Sequence, residues 1–223
     1  MVGYQFRFLP SLQVLRVEAQ QATCYAAQMV FAYDLAKWHG GGAPYRGDIV
    51  AEASHELDLL CQWWGEPAHV QGVTQCIKQK EFPDCAWIGL RWPGRLAGVY
   101  VDGIAPQYLR VIRLFDQCLG MREWIFDEQE NVAAYRRELR VFLEGITTGQ
   151  VGLGCTGAEG VRVLRVIAQV QASAAASVIP ALTSSGIALC PADPESPVST
   201  LVLCGTDGRG SECSPGSCPS RPR

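Results

Sequence analysis

Residues 85–104 read CAWIGLRWPGRLAGVYVDGI, which is two runs of strand-forming residues on either side of Pro93-Gly94. Aromatic and β-branched residues favour strands, and a Pro-Gly pair is typical of a tight turn. Further strand-like runs lie before and after this stretch, at residues 68–76 and 108–115. Consecutive strands joined by tight turns predict a mainly antiparallel sheet.

The sequence on either side of these strands predicts one more strand and three helices. The strand is expected at residues 22–33, which are rich in apolar and aromatic residues. After Ser54, apolar residues recur at i, i+3, i+4 and i+7 until Gly65; Ser54 can cap the first turn and Gly65 can end the last. Helical spacing returns at residues 132–146 and 161–168. We therefore predict the α+β class: a mainly antiparallel open sheet with helices packed on one face.

The composition excludes several classes of partner. Apolar residues make up 48% of the 223, so the chain can bury a core. Its formal net charge is −3, and we expect no nucleic acid, because phosphate binding needs an excess of Lys and Arg. We find neither an apolar run of about 18 residues nor a secretory signal, so we expect a cytoplasmic protein without a membrane partner.

The character of the sequence changes near Pro180. Residues 1–180 carry the periodic apolar pattern, whereas residues 181–223 are rich in Pro, Ser, Gly and Cys. A segment of that kind buries too little apolar surface to offset chain entropy, so we predict a folded domain followed by an irregular tail of low order, with a short edge strand at 201–204. None of the ten cysteines has the two-residue spacing of a zinc site, so we expect free thiols and no metal.

Six segments resemble, in the same order, parts of one enzyme family. The most specific has an acidic residue, Glu52, then His55 three residues later, then a helix that ends in Trp-Gly-Glu-Pro at Pro67. The others are Tyr4-x-x-Arg7-Phe8-x-Pro10, residues 99–102, Glu123-Trp124, Tyr135-x-x-Glu138-Leu139-x-x-Phe142-Leu143 and residues 160–167. Together they cover about residues 3–180 and resemble the Gfo/Idh/MocA family of sugar and polyol oxidoreductases. The family usually has Asp where this chain has Glu52.

The resemblance implies a reaction and a cofactor. Members of the family oxidise a sugar or polyol hydroxyl, or reduce the ketone, with NAD or NADP held by an N-terminal Rossmann domain that ends in a Glu-Lys-Pro motif with a catalytic Lys. This chain resembles only the part after that motif. The resemblance therefore implies the C-terminal substrate and oligomerisation domain, truncated relative to the family, inactive alone and unable to bind either nicotinamide tightly. A lone Gly152-x-Gly154-x-x-Gly157 has no strong strand before it and is weak as a nucleotide loop.

The resemblance also implies partners. In the family, one face of the sheet meets helices and the other meets a second subunit, which implies a homo-oligomer through the sheet face. A separate chain that supplies the Rossmann domain is a further partner to consider. The alternative function is a non-catalytic dimerisation or interaction module derived from the same family.

His55 is the candidate acid/base. An imidazole can take the hydroxyl proton at neutral pH, and the positive end of a helix dipole favours its neutral form. The resemblance implies this role for His55, with Glu52 orienting the ring or binding a sugar hydroxyl. The structural alternative is a histidine that only packs against the sheet at the start of its helix.

Four further residues are candidates for substrate binding. Arg46 and Tyr45 lie in a Gly-rich loop, where Arg can bind vicinal oxygens or a carboxylate; their alternative role is loop packing. For Arg7, which matches a family residue near the domain junction, a structural salt bridge competes with substrate contact. Asp58 lies one turn after His55, where it either bonds the other ring nitrogen or faces solvent or caps a loop.

Overall fold

The computed structural model describes residues 1–38, 48–79 and 81–176. A 3-10 turn at Gln5–Phe8 opens the chain. The further elements are α1 Pro10–Ala19, β1 Cys24–Asp34, α2 Leu35–Trp38, α3 Ile49–Glu52, α4 Ser54–Trp64, β2 His69–Gln75, β3 Cys85–Trp92, β4 Arg95–Asp102, β5 Ile104–Asp116, β6 Gly120–Ile125, α5 Glu128–Thr148 and α6 Gly157–Ala176. Helix α1 was not predicted from the sequence, although Pro10 stands at its first turn and Leu12, Leu15 and Ala19 form its buried side.

The six strands form one open sheet in the order β2-β3-β4-β1-β5-β6. Only β1 and β4 pair in parallel; the other four pairs of neighbours within the described chain are antiparallel. The hairpin of β3 and β4 turns at Gly94, whose φ of 72° suits glycine. The predicted α+β class, a mainly antiparallel open sheet with helices on one face, is confirmed.

One connection in the sheet differs from the simple meander that tight turns predict. β4 and β5 are consecutive in sequence, yet β1 lies between them in the sheet. The chain crosses the end of β1 at Gly103, whose carbonyl oxygen accepts a hydrogen bond from the Leu35 backbone N–H at 2.9 Å. A Cβ at Gly103 would lie 2.9 Å from the carbonyl oxygen of Asp84, so the close approach of two backbones requires glycine there.

Helix α4 follows α3 almost directly, and both lie on the covered face of the sheet. Ala53, not Ser54, is the cap residue of α4, so the predicted side-chain cap is wrong; the last turn of α3 already occupies that position. The predicted end at Gly65 is confirmed, with a φ of 81°. Leu57 and Leu60 of α4 are fully buried against the core, as their spacing predicts.

The two faces of the sheet have different surroundings. Ile88, Val99 and Ile112 point to the helices and are completely buried. On the other face, Trp87 and Leu96 are 49% and 58% exposed. Because strand residues alternate between faces, the side of the sheet opposite the helices is partly apolar and partly exposed.

Helices α5 and α6 are confirmed, and Gly149 ends α5 in the left-handed conformation. The apolar repeat that predicts α5 is nevertheless exposed, because Ala134 is the one residue of α5 that is fully buried. Helix α6 packs on β2, where the side-chain oxygen of Ser173 accepts a hydrogen bond from the Gly72 N–H at 3.1 Å.

Some expectations concern residues outside the described chain: the tail at 181–223 with its edge strand at 201–204, and the loop with Tyr45 and Arg46. The six described cysteines are all free thiols. Residues 1–38, 48–79 and 81–176 contain no cluster of three potential metal ligands. They also include no helix that is both long and apolar enough to cross a membrane.

Candidate functional site

A cavity of about 660 Å³ lies where the 3-10 turn, the α3–α4 junction, strand β5 and the start of α5 meet. This volume is in the range that accommodates a small organic molecule. Aromatic rings form much of its wall: Phe6, Phe31, Tyr108, Phe126 and Tyr135. Flat apolar surfaces of this kind suit the C–H faces of a sugar or cyclitol ring.

His55 lies on the wall of this cavity, in the first turn of α4. Its ring contacts Phe6, with centroids 4.8 Å apart, and meets Tyr4 edge-on at 5.5 Å. Burial, and then the positive charge of Arg110, lower the pKa of His55 from 6.5 to about 4. The imidazole is therefore neutral at pH 7 and has a free lone pair, as a proton acceptor requires.

A buried ion pair lies behind the imidazole. Arg110 Nε on β5 is 2.6 Å from Oε1 of Glu56, the residue that follows His55 on α4. The guanidinium stacks on Phe31 and Phe6, with its central carbon 3.7 and 4.6 Å from the ring centroids. Arg110 Nη1 also donates a hydrogen bond to the Tyr108 hydroxyl at 3.2 Å. Burial raises the pKa of Glu56, and the charge of Arg110 opposes that rise. The contact between the two side chains joins helix α4 to strand β5 beside the cavity.

Polar groups are distributed along the rest of the wall. Glu52, at the end of α3 and one helical turn before His55, lies on the cavity wall. Asp48 also lies on the wall, and its Oδ1 caps α3 by accepting a hydrogen bond from the Val50 N–H at 2.9 Å. Asn131 of α5 also lies on the wall. Among the described residues, His55 Nδ1 and Asn131 Oδ1 are buried polar atoms without a hydrogen-bond partner. Buried polar atoms are normally paired, so these two favour a polar ligand in the cavity.

Arg7 and Asp58 lie away from the cavity wall. The Arg7 guanidinium binds both carboxylate oxygens of Asp58, at 2.8 and 2.7 Å, and the two side chains are 3% and 1% exposed. Arg7 also reaches Glu159 of α6 at 3.2 Å. This geometry matches the structural salt bridge considered for Arg7, and it directs the Asp58 carboxylate to Arg7 rather than to His55.

The structure thus brings Glu52 and His55 to one cavity, places Arg7 and Asp58 in the core, and describes neither Tyr45 nor Arg46. Sequence reasoning missed Arg110 and Asn131. Arg110 had a detectable signal. In a strand it shares a face with Ile112 and Leu114, which point to the core, so its charge also points inward. An inward charge in a strand indicates a buried partner.

The Gly152-x-Gly154-x-x-Gly157 segment does not fit a dinucleotide. It follows helix α5, whereas a pyrophosphate loop follows a strand. A Cβ at Gly154 would lie 2.8 Å from Met1 Cγ and 3.0 Å from the Val151 carbonyl oxygen, so protein atoms already fill the space that a phosphate needs. Within the described ranges, the single parallel strand pair offers no repeated strand–helix–strand unit for a nicotinamide dinucleotide.

Several solved structures with a similar fold are dehydrogenases. A myo-inositol dehydrogenase from Corynebacterium glutamicum matches 79% of this chain at a TM-score of 0.64 and 19% identity. UDP-N-acetylglucosamine 3-dehydrogenase GnnA from Acidithiobacillus ferrooxidans matches 78% at 0.61 and 21% identity. The WlbA dehydrogenase from Bordetella pertussis, solved with NADH and UDP-GlcNAcA, matches 80% at 0.58 and 18% identity.

The match extends over 62%, 61% and 63% of those three chains, so this chain spans less than two thirds of their length. At such identities the likeness shows the fold alone, and it is the fold that the Gfo/Idh/MocA resemblance implied.

Comparison of sequences adds little to this. No protein-family model matches the chain. Among curated proteins, the protein translocase subunit SecA of Chlamydia muridarum is 37% identical over 81 residues, which is 34% of this chain and only 8% of SecA. A match to so small a part of SecA defines no family for this chain.

Proposed function

We propose that this chain supplies the substrate-binding and proton-transfer part of an NAD(P)-dependent oxidoreductase of the Gfo/Idh/MocA family, acting on a hydroxyl or ketone of a sugar, polyol or sugar derivative. One observation carries the proposal. Two unpartnered buried polar atoms, His55 Nδ1 and Asn131 Oδ1, belong to residues on the wall of a 660 Å³ cavity lined with aromatic rings. A polyhydroxylated ring offers hydrogen bonds to these two atoms and apolar faces that can stack on the aromatic rings.

His55 handles the proton in this proposal. When an alcohol is oxidised, the hydroxyl proton must leave the oxygen, and a neutral imidazole accepts it. In the reverse direction, protonated His55 returns it to the forming alcohol. Because the pKa of His55 is about 4, the protonated ring gives the proton up readily.

Glu52 binds substrate in this proposal. Its carboxylate accepts hydrogen bonds from sugar hydroxyls beside the one that reacts, or supports the His55 ring. Tyr135 and Phe126 on the same wall cover the faces of the sugar ring. Arg110 is already paired with Glu56 and held by stacking, so it positions the start of α4 instead of binding substrate.

The hydride carrier must come from another domain. NAD or NADP is expected for the family, but the described residues do not fit a dinucleotide, so no hydride-transfer step is assigned to them. The chain alone is accordingly expected to be inactive and to bind NADH or NADPH weakly. Isothermal titration tests this directly, and micromolar affinity for either nucleotide would contradict it.

Substrate binding is testable by NMR. In the labelled chain, myo-inositol and glucose should shift the His55 ring resonances, and His69, which is exposed on β2, provides the matched control. In an assembly that also holds the nucleotide-binding domain, His55→Ala should lower kcat by roughly 10²- to 10⁴-fold, whereas His69→Ala should leave it unchanged. Equal effects of the two variants would refute the role of His55.

The open face of the sheet favours a second candidate function, a non-catalytic dimerisation module. This face carries a hollow of about 810 Å³ lined by Trp87, Leu96 and Gly98. The side chains of Trp87 and Leu96 are about half exposed there. Such a patch suits a second copy of the chain, and the same contact would make the enzyme a homo-oligomer in the cytoplasm. Sedimentation should show Trp87→Asp dissociating the oligomer. A monomeric parent protein would remove this candidate.

A further inference from the structure

Arg110 joins four of the elements that surround the candidate site. From strand β5, its guanidinium carbon lies 3.7 Å from the ring centroid of Phe31 on β1 and 4.6 Å from that of Phe6 in the 3-10 turn. Its Nε is 2.6 Å from the carboxylate of Glu56 on α4, and its Nη1 donates to the hydroxyl of Tyr108 on β5 at 3.2 Å. We call these five residues the Arg110 cluster.

The two charges of the Arg110 cluster stand where a core normally has apolar side chains. Arg110 shares its face of β5 with the buried Ile112 and Leu114, and Glu56 is followed on α4 by the buried Leu57. Arg110 is only 6% exposed and Glu56 only 1%. A buried ion pair often stabilises a fold no more than two apolar residues of similar size, because both charges lose their hydration. Sequences that depart from the apolar pattern of a core do so mainly at functional sites.

The hydrogen bonding of the pair points in the same direction. Within the described residues, Glu56 Oε2 is buried and has no hydrogen-bond partner. A buried polar network that is satisfied only in part stabilises a fold less than an apolar core does. Stability alone therefore does not account for the presence of these two charges.

His55 is connected to Arg110 by two routes. Along the chain, His55 is the residue before Glu56, whose carboxylate contacts Arg110. Through space, the Phe6 ring contacts both side chains: its centroid lies 4.6 Å from the guanidinium carbon of Arg110 and 4.8 Å from the centroid of the His55 ring. Arg110 thus restrains both the backbone that carries the imidazole and a ring that packs against it. A proton acceptor needs such restraint, because small displacements from the productive geometry slow a reaction strongly.

Charged and titratable groups surround His55 and its cavity from every neighbouring element. They are Tyr4 before the 3-10 turn, Asp48 and Glu52 at the two ends of α3, Glu56 on α4, Arg110 on β5 and Glu128 on α5. After burial, which is the larger cause, the charge of Arg110 is what lowers the pKa of His55. The same contacts that restrain the imidazole therefore also keep a positive charge near it.

We infer that Arg110 and Glu56 form a positioning unit for His55, which fixes the imidazole on the cavity wall through the α4 backbone and the Phe6 ring and contributes little to the stability of the fold. This inference deepens the proposed function and rests on it, because only that reaction makes His55 the proton acceptor. Arg110 and Glu56 act through His55, so they are positioning residues and not catalytic ones.

Joint substitution of the pair tests the inference on the full chain. The double variant Glu56→Met, Arg110→Met removes both charges and leaves unbranched apolar side chains in their place. The matched control is Arg113→Met, Glu123→Met, which removes the partly exposed ion pair between β5 and β6. We expect both double variants to fold, with melting temperatures close to that of the parent, because neither leaves a buried charge without its partner.

NMR of His55 distinguishes positioning from a structural role. In the parent, the His55 and Phe6 rings should show a nuclear Overhauser contact, which the Glu56→Met, Arg110→Met variant should lose. The titration midpoint of His55 should rise by roughly one pH unit in that variant and stay below 6.5, because the charge of Arg110 is gone and burial remains. The control variant should change neither property.

Kinetics should show the same separation. In an assembly that also holds the nucleotide-binding domain, Glu56→Met, Arg110→Met should lower kcat by about 10- to 100-fold, because the proton acceptor is no longer held in place. The KM for sugar should change little, since Glu52 and the aromatic wall remain. The control variant should keep both constants.

Arg110→Lys is a milder variant for the case in which the double variant does not fold. Lysine keeps a positive charge beside Glu56 but lacks the flat guanidinium that stacks on Phe6. It should fold, weaken the contact between the His55 and Phe6 rings and lower kcat, while the titration midpoint of His55 stays near its parent value. Loss of the fold in both variants would overturn the inference, and so would a folded double variant with an unchanged ring contact, midpoint and kcat.

Titration with myo-inositol and glucose separates this inference from the proposed function. If the sugars shift the His55 resonances of the parent and of the double variant alike, the positioning inference fails and the proposed function stands. If the sugars leave the parent unchanged while the double variant loses the contact between His55 and Phe6, the proposed substrate site fails and the positioning of His55 stands.

Discussion

Helices α4 and α5 have the same apolar periodicity in the sequence and opposite surroundings in the structure. In α4, which packs on α6, Leu57 and Leu60 are inaccessible to solvent and belong to the hydrophobic core. In α5, Leu139 and Ile146 face solvent. Spacing of three and four residues therefore predicts that a helix forms, and it does not say whether the apolar side is covered by its own domain.

Because the apolar side of α4 is buried and that of α5 is exposed, the two helices contribute differently to the stability of the fold and to contacts with partners. Burial of apolar side chains stabilises the fold at α4, whereas at α5 the same kind of side chain remains available for a contact with another body. Substitutions on the two helices should consequently affect different properties.

The largest expected effect concerns the ion pair that ties α4 to the start of the chain. Asp58→Ala leaves the Arg7 guanidinium buried without its main partner and should lower the free energy of unfolding by about 3–5 kcal/mol. Urea denaturation measures this. The matched control is Glu123→Ala in the Arg113–Glu123 pair, which is about one third exposed at each end and should cost no more than about 1 kcal/mol. Equal costs would show that the buried Arg7–Asp58 pair stabilises the fold no more than the partly exposed Arg113–Glu123 pair.

A matched pair of leucines compares the two helices directly. Leu60→Ala creates a cavity in the core and should cost about 2–5 kcal/mol in unfolding free energy. Leu139→Ala removes an exposed side chain and should change it by about 0.5 kcal/mol or less. Thermal and urea unfolding of the two variants measure the difference. A large cost at Leu139 in the isolated chain would mean that its own domain already covers this side chain.

The pH dependence of stability tests the buried start of α4. The pKa of His55 is about 4 in the folded chain and about 6.5 when unfolded, so the unfolded state binds more protons between these values. The free energy of unfolding should therefore fall by up to roughly 3 kcal/mol as the pH drops from about 6.5 to about 4, relative to His55→Gln, which lacks this term. A His55 titration midpoint near 6.5 by NMR would be inconsistent with the burial described.

The smallest effect tests whether α6 is held against the sheet as closely as α4. A Cβ at Gly72 would lie 2.5 Å from Val170 Cγ1 and 2.8 Å from the Val170 carbonyl oxygen. Gly72→Ala should thus cost about 1–3 kcal/mol in unfolding free energy. Gly89→Ala on the adjacent strand meets no atom within 4 Å and should be nearly neutral. A stable Gly72→Ala protein would indicate a looser contact between β2 and α6.

Two residues on the wall of the candidate site, Glu52 and His55, could be predicted from the sequence, for a local reason. Glu52 and His55 are one helical turn apart, so the spacing alone puts them on one side of the chain. Arg110 and Asn131 come from a strand and a helix far along the sequence, and only folding brings them to the same cavity. The Arg7–Asp58 pair joins residues 51 positions apart, which no local pattern indicates.

The amino-acid sequence by itself predicted five of the six described strands, the helices α4, α5 and α6, the ends of α4 and α5 at Gly65 and Gly149, and a mainly antiparallel sheet with helices on one face. These features depend on neighbouring residues and on backbone preferences. Only the tertiary structure placed β1 between β4 and β5, formed the cavity beside His55 and left the apolar side of α5 exposed. Those outcomes depend on contacts between distant segments, whose free energies no local pattern contains.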